Sequence, residues 1–280
     1  MMTSSLNTTL SATDLGTLLR YWRDVRGTSQ LDLALDAGIS QRHLSFVESG
    51  RSVPSRQLLT AVAEALDVPL RDRNALLLAA GYAPLYSEGV WDALEMQSVT
   101  NALNRILRQQ EPFPAIVMER YWNVLMTNDA APRFFGCFTE MTARHPRNML
   151  HLLFDPNGMR PFVANWEDAA KSLIQRVRRE AVGRVMDEQT KELLAALLAY
   201  PDVKTEWDRP EPLPAAPTLP FVPLSFVKDG RVLSYFSMIT TVGTPQAVAA
   251  QELRIECMFP ADEATELYHI QMMGGAATER

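Results

Sequence analysis

The chain has few of the features that mark secreted, membrane-spanning or metal-binding proteins. Its two cysteines, Cys137 and Cys257, form no CxxC pair, so the sequence predicts neither a disulfide framework nor a zinc site. Both are expected to be small buried apolar side chains. Charged residues or prolines break every apolar run well before the roughly 20 residues that cross a bilayer, and the first residues lack the basic start of a secretion signal. These absences favour a cytoplasmic protein without membrane contact.

Catalytic motifs are also missing. The sequence has no GxSxG, HExxH, GxxxxGK[ST] or GxGxxG segment, and its four histidines are too scattered to form a common metal pair. We therefore predict neither an enzyme nor a resident metal ion or cofactor.

Positive charge is scarce and unevenly distributed. The net charge is −6, and no lysine occurs before Lys171. Residues 20 to 56 nevertheless contain six arginines against four acidic residues, a local charge of +2. Because arginine forms paired hydrogen bonds with guanine and phosphate, this stretch suits nucleic acid better than the whole chain does.

Residues 28–51 have the pattern of two short helices joined by a sharp turn. Ser29 and Ser40 are expected to cap the two helices, and Gly38 is expected to end the first with a positive φ angle. The inward-facing positions are predicted at Leu31, Ala34, Leu35, Ile39, Leu44 and Val47. An ordinary helical hairpin with a solvated polar face is the alternative. Apolar helices from about 14 to 26, after Ser55 and in RNALLLAAGY favour a five-helix module instead.

This order of five helices over residues 14–84 resembles the Cro/Xre repressor family. The residues that carry the resemblance are Gln30, Ala34, Gly38, Ile39, Glu48, Gly50 and Pro54. The resemblance implies a homodimer that binds a double-stranded DNA operator, with its second motif helix in the major groove. It also implies sugar-phosphate contacts from Gln30, Ser40 and Arg51, and base contacts from Gln41, Arg42, Ser45 and Phe46. His43 is either a base reader or a solvated side chain, and Phe46 either packs on a thymine methyl or covers the helix.

The second part of the chain changes from helical to strand periodicity. AIVMERYWNVLMT predicts two strands around a turn at Glu119–Tyr121, and Asn128 is expected to cap a short helix that ends at Gly136. The Asp229-Gly230 pair predicts a hairpin, and ELRIECMF predicts a strand with a polar face at Arg254, Glu256 and Met258. Strands, helices and three further strands are the order of a PAS-like α+β domain with an antiparallel sheet of about five strands.

Segments of this part resemble the MmyB-like ligand-binding domain. They are PAIVMERYWNVLMTNDAAPRFFG, NMLHLLFDPNG, ANWEDAAKSL and the dipeptide Glu206-Trp207. The resulting organisation is a disordered lead (1–13), a helix-turn-helix domain (14–84), a linker helix (85–111), the PAS-like domain (112–265) and a tail (266–280). In the linker, Leu94, Leu103, Ile106 and Leu107 are expected to form an apolar face. The proline-rich stretch from Pro201 to Pro223 is expected to be a connector, with a strap over a cavity as the alternative.

The resemblance implies a small hydrophobic, fatty-acid-like effector. Aromatic and methionine side chains suit such a pocket, although these patterns are equally typical of a solid core. The candidate lining residues are Met118, Trp122, Met126, Phe134, Phe135, Trp166, Trp207, Phe226, Tyr235, Phe236 and Met238, and Arg176, with Arg178 and Arg179, is a candidate for holding a carboxylate. The alternative is that the second domain serves only dimerisation or protein interaction.

Overall fold

The computed structural model describes residues 14–140, 147–182, 187–208 and 221–275. The predicted lead (1–13), His145, the middle of the proline-rich stretch and the last five residues of the tail lie outside these ranges. The chain divides into two compact units, one formed mainly by residues up to Glu88 and one mainly by residues from Gly89 onward. Among the described residues, no helix is both long and apolar enough to cross a membrane.

The first unit is a bundle of five helices. They are α1 (Leu15–Val25), α2 (Gln30–Asp36), α3 (Gln41–Glu48), α4 (Arg56–Ala65) and α5 (Leu70–Ala79). The predicted capping residues Ser29 and Ser40 each accept a hydrogen bond from a backbone N–H of the following helix, and so does Ser55. Gly38 has a φ of 67°, which lets the chain turn sharply between α2 and α3. The two motif helices and the turn between them are therefore encoded locally, by the caps Ser29 and Ser40 and by Gly38.

The inward face of α2 differs from the predicted one by one residue. Leu31 and Leu35 are 51% and 69% exposed, whereas Leu33 and Ala34 are buried. The face of α2 that meets the core runs through Leu33, Ala34 and Ala37. Our assignment of Leu31 and Leu35 to the core was wrong.

The second unit is built on one antiparallel sheet with the strand order β2-β1-β5-β4-β3. Its strands are β1 (Ala115–Met118), β2 (Val124–Thr127), β3 (Leu224–Lys228), β4 (Arg231–Thr241) and β5 (Arg254–Pro260). Its helices are α6 (Gln97–Gln109), α7 (Ala130–Gly136), α8 (Met149–Phe154), α9 (Trp166–Val182), α10 (Glu188–Leu198), α11 (Val248–Glu252) and α12 (Glu263–Gly275). The predicted fold class, a helical bundle followed by a PAS-like α+β domain with about five strands, is confirmed.

Local signals fix one turn of the sheet and the start of the helix that follows β2. Asp229 and Gly230 have φ angles of 49° and 73° and join β3 to β4, as the Asp-Gly signal predicts. Asn128 lies just before α7, and its Oδ1 accepts hydrogen bonds from the backbone N–H groups of Ala131 and Ala115. The same side chain therefore caps α7 and holds the start of β1.

The segment predicted as a linker helix packs on this sheet. Met96, Leu103 and Leu107 are buried and α6 contacts β1, whereas Leu94 is 84% exposed and does not belong to the apolar face. The helix is thus a structural part of the second unit.

Strand β5 does not have the solvated polar face that we predicted. Arg254 and Met258 are buried, and the side chain of Glu256 is only 16% exposed. The reason is topological, because β5 is the central strand and side chains on both of its faces are covered. Glu256 and Met258 of this face instead line a cavity that is partly open to solvent.

Candidate functional sites

Helix α3 presents a polar surface from the first unit. Leu44 and Val47 are buried against the other helices, which places Gln41 and Arg42 on the exposed side. His43, Ser45 and Phe46 are half-buried, and Ser40 is exposed while its oxygen caps α3 by accepting a hydrogen bond from the His43 N–H. The helix thus exposes its N-terminal residues on one side and anchors itself through the other.

Two of the six arginines counted in this region differ from the rest. Arg20, Arg23, Arg26 and Arg56 donate hydrogen bonds to backbone carbonyls within the unit. Arg42 and Arg51 are exposed, and their guanidinium carbons lie 5.3 and 5.9 Å from the centre of the Phe46 ring. Phe46 therefore supports two cations that flank it at the surface, an arrangement that favours its covering role over direct packing on a base.

A buried carboxylate joins α3 to α1 and α2. The Glu48 carboxylate accepts hydrogen bonds from Arg23 Nε at 2.9 Å and from Gln30 Nε2 at 2.8 Å, and Glu48 is only 2% exposed. Its backbone carbonyl also accepts a hydrogen bond from Arg20. Gln30, predicted as a phosphate contact, is thus held in one orientation at the start of α2 by an internal partner.

The second unit contains a partly open cavity of about 130 Å³ between the sheet and helices α7, α8 and α9. Of the predicted lining residues, the structure brings together Met118, Trp122, Phe135, Arg176, Tyr235 and Phe236. Lining residues that the sequence did not reveal are Ile116, Met149, Leu153, Ala169, Ser172, Leu173, Val222, Pro223, Leu224, Ser237, Glu256 and Met258. The walls are mainly apolar, and the polar groups are few.

Six of the predicted lining residues do not line this cavity. Met126 and Met238 pair across the sheet with Val117 and Cys257, so they belong to the other face from Met118 and Glu256. Met238 is in fact 60% exposed. The four remaining residues are buried core side chains: Phe134, Trp166, Trp207 and Phe226. Arg178 and Arg179 are likewise absent from the lining.

Phe134 shows why an aromatic pattern could not separate core from cavity. Its ring centre lies 5.2 to 5.6 Å from those of Phe138, Phe226 and Tyr235, which belong to the same hydrophobic cluster, and from that of the buried His269. Every side of this ring is occupied by protein, so Phe134 fills space that a ligand would otherwise use.

Tyr235 uses its hydroxyl within the core. The Pro112 carbonyl can only accept a hydrogen bond, so the His269 Nε2 that lies 3.0 Å from it carries the proton. The other ring nitrogen, Nδ1, then accepts from the Tyr235 hydroxyl at 2.8 Å. Burial raises the pKa of Tyr235 and lowers that of His269, so both groups are neutral. Tyr235 therefore offers the cavity its ring rather than its hydroxyl.

The polar end of the cavity is built around Trp122. This residue ends the tight turn after β1 with a φ of 69°, an uncommon angle for a large aromatic residue, and it is 1% exposed. The guanidinium carbons of Arg176 and Arg254 lie 4.3 and 4.7 Å from the ring centre. Arg176 Nη1 is 3.3 Å from Glu256 Oε1, which also accepts a hydrogen bond from the Ser237 hydroxyl. An arginine and a glutamate thus face the cavity as a pair.

Comparisons with known proteins agree with this division into two functional parts. The family model of the MmyB-like transcription regulator ligand binding domain matches residues 99–269. A helix-turn-helix model matches residues 19–72. No curated protein matches the chain. The family matches confirm both resemblances recognised in the motifs.

Proposed function

The chain belongs to the family of MmyB-like transcription regulators, and we propose that its cavity binds a small hydrophobic effector that changes the affinity of its helix-turn-helix for DNA. The two matched domains make it a DNA-binding transcription regulator with a ligand-binding domain. The observation that carries the proposal is the cavity, because it lies in the matched ligand-binding domain and combines apolar walls with a few polar groups.

The effector that we propose is fatty-acid-like in shape, with an apolar chain and one polar end. The apolar chain packs against Met118, Leu153 and Met258, and the polar end lies near Trp122 and Arg176. Such a ligand regulates DNA binding only if its affinity differs between two arrangements of the protein. We further propose that the protein binds as a homodimer to two half-sites about one helical turn apart, because one short helix offers few contacts.

A direct test combines native mass spectrometry with operator binding. Genomic footprinting first supplies the operator, and gently purified full-length protein is then weighed under native conditions. We expect a reproducible small-molecule adduct and a change in operator affinity when the ligand is removed and added back. A bare mass, together with operator affinity that is constant across a panel of lipids, would instead support a domain that serves only dimerisation or protein interaction.

Blocking the cavity provides a second readout. Ser172 lies on α9 and lines the cavity, so Ser172→Phe is expected to fill it. The variant should keep its circular dichroism spectrum and its affinity for the operator in the absence of effector. It should lose the adduct and the response to effector. An unchanged adduct would place the ligand elsewhere.

Arg42 and Arg51 are predicted to contribute differently to DNA binding. Arg42→Ala should cost roughly 1 to 3 kcal/mol on the preferred operator and less on other sequences, because it removes a base contact. Arg51→Ala should weaken binding about equally on all sequences and reduce the salt dependence by about one charge, because it removes a phosphate contact. Fluorescence anisotropy on cognate and scrambled duplexes at several salt concentrations measures both effects.

The matched control is Arg105→Ala, which removes the same charge from an exposed position on α6 in the second unit. This variant should leave the affinities for the cognate and the scrambled duplex unchanged. Equal losses for Arg42→Ala on cognate and scrambled DNA would contradict its assignment as a base reader.

A further inference from the structure

We propose that the effector binds with an uncharged head group that accepts a hydrogen bond, as in a fatty amide, alcohol or ester, and that Trp122 and Glu256 select it against carboxylates. The inference rests on the proposed function, since it concerns the same cavity. It follows from the charges at the polar end, from one buried donor and from the size of the cavity.

The positive charge at the cavity is already balanced. Among the described residues that line it, Arg176 and Glu256 are the charged ones. Arg176 Nη1 lies 3.3 and 3.4 Å from the two oxygens of Glu256, and both side chains are less than one-fifth exposed. A ligand carboxylate beside this pair would place two anions next to one cation in a poorly solvated space. Such an arrangement is unfavourable because like charges within a few ångströms repel each other and burial strengthens the repulsion.

A second guanidinium near Trp122 does not change this balance. Arg254 is absent from the lining, and its Nη2 donates to the backbone carbonyls of Arg120 and Glu119. Arg120 itself is bound to the carboxylates of Asp187 and Glu252. Arg120 and Arg254 are therefore directed at protein oxygens outside the cavity lining, and Arg176 is the guanidinium that faces the cavity.

Trp122 supplies the hydrogen-bond donor. Its ring lines the cavity, and its Nε1 is buried and has no acceptor within the described part of the chain. A buried N–H without a partner is costly and uncommon in native proteins. A carbonyl or hydroxyl oxygen on the ligand would accept from this N–H without adding charge. The vacant Trp122 donor and the paired charges of Arg176 and Glu256 thus favour the same ligand class.

The volume of the cavity guides the choice of probes. At about 130 Å³ the cavity is close to the engineered cavity of about 150 Å³ that binds benzene. A chain of about six carbons therefore matches it, and hexanamide and hexanoate are suitable probes that differ mainly in charge.

The experiment measures the binding of both probes to the full-length protein at pH 7.5 by NMR titration. We expect hexanamide to bind at least tenfold more tightly than hexanoate. In Glu256→Gln the carboxylate that competes for Arg176 is removed, so hexanoate should gain at least tenfold while hexanamide changes by less than threefold. Glu263→Gln, an exposed position at the start of α12, is the matched control and should change neither affinity.

Trp122→Phe tests the donor separately. The variant keeps an aromatic ring but lacks the N–H, so hexanamide should bind several-fold more weakly while toluene, which has no acceptor, binds as before. Equal losses for both probes would indicate that the ring alone matters, and would overturn the role of Trp122 as a donor.

The outcomes separate this inference from the proposed function. If hexanoate binds the unmodified protein as tightly as hexanamide or more tightly, the selection for an uncharged head group is wrong, while the cavity remains an effector site. If a folded protein binds neither probe and does not bind toluene, the cavity is not an effector site and both proposals fail.

Discussion

Replacing Gly16 with alanine is expected to disrupt the first unit and abolish DNA binding. Gly16 lies in α1, and a Cβ atom added there would be 2.1 Å from the backbone oxygen of Glu48 and 2.7 Å from its carbonyl carbon. Both atoms belong to the backbone of α3, so no side-chain rotation relieves the overlap. The helices must separate instead. We expect a cost at or above the upper end of the roughly 1 to 3 kcal/mol of typical overpacking.

Separation of α1 from α3 also breaks the contacts of Glu48. Arg23 would lose its 2.9 Å hydrogen bond to the Glu48 carboxylate, which leaves a buried charge without its cationic partner. Helix α3 would then lose the support that fixes its exposed residues. Hydrogen exchange of peptides from α1 to α3, measured on the full chain, should show faster exchange, and operator binding should disappear.

The matched control is Gly136→Ala at the end of α7. A Cβ atom there would have no neighbour within 4 Å, and this glycine has no positive φ angle. Alanine is favoured over glycine in helices, so the change should be neutral or stabilise the second unit by up to about 1 kcal/mol. If Gly16→Ala behaved like Gly136→Ala, the close contact between α1 and α3 would not exist.

Features set by neighbouring residues were predictable from the sequence. The caps at Ser29 and Ser40, the positive φ of Gly38 and the Asp229-Gly230 turn depend on a few consecutive residues, and all are present. The role of Gly16 was not predicted because it depends on a contact with Glu48, which lies more than 30 residues further along the chain. The inward face of α2 was misassigned because Leu31 and Leu35 are as apolar as Leu33, and the choice between them depends on how α2 packs against the other helices.

The cavity was less predictable for a related reason. Alternation along β5 correctly separated its two faces, but a polar residue on a central strand does not mean a solvated face, as Glu256 shows. Met126 and Met238 were assigned to the lining because the sequence does not give the register that places them opposite Val117 and Cys257. The family resemblance indicated that a pocket exists, whereas the residues that form it required the pairing of the strands.

The second large effect is expected from Phe134, which distinguishes core packing from cavity lining. Phe134 is fully buried, and its ring contacts five other aromatic or imidazole rings. Phe134→Ala should cost about 3 to 5 kcal/mol, because it removes apolar contacts and leaves a hole that these rings cannot fill. Met238→Ala, at a residue that is 60% exposed, should stay within about 0.5 kcal/mol of the unmodified protein.

Both residues were predicted to line the effector pocket, so the pair tests the structural correction directly. Denaturant unfolding of the full chain, followed by near-ultraviolet circular dichroism, measures the difference in stability. At temperatures where Phe134→Ala remains folded, its affinity for hexanamide should change far less than that of Trp122→Phe, because Phe134 does not line the cavity. If Phe134→Ala lost little stability but much affinity for hexanamide, Phe134 would be a lining residue of the cavity. The aromatic cluster would then have to be arranged differently.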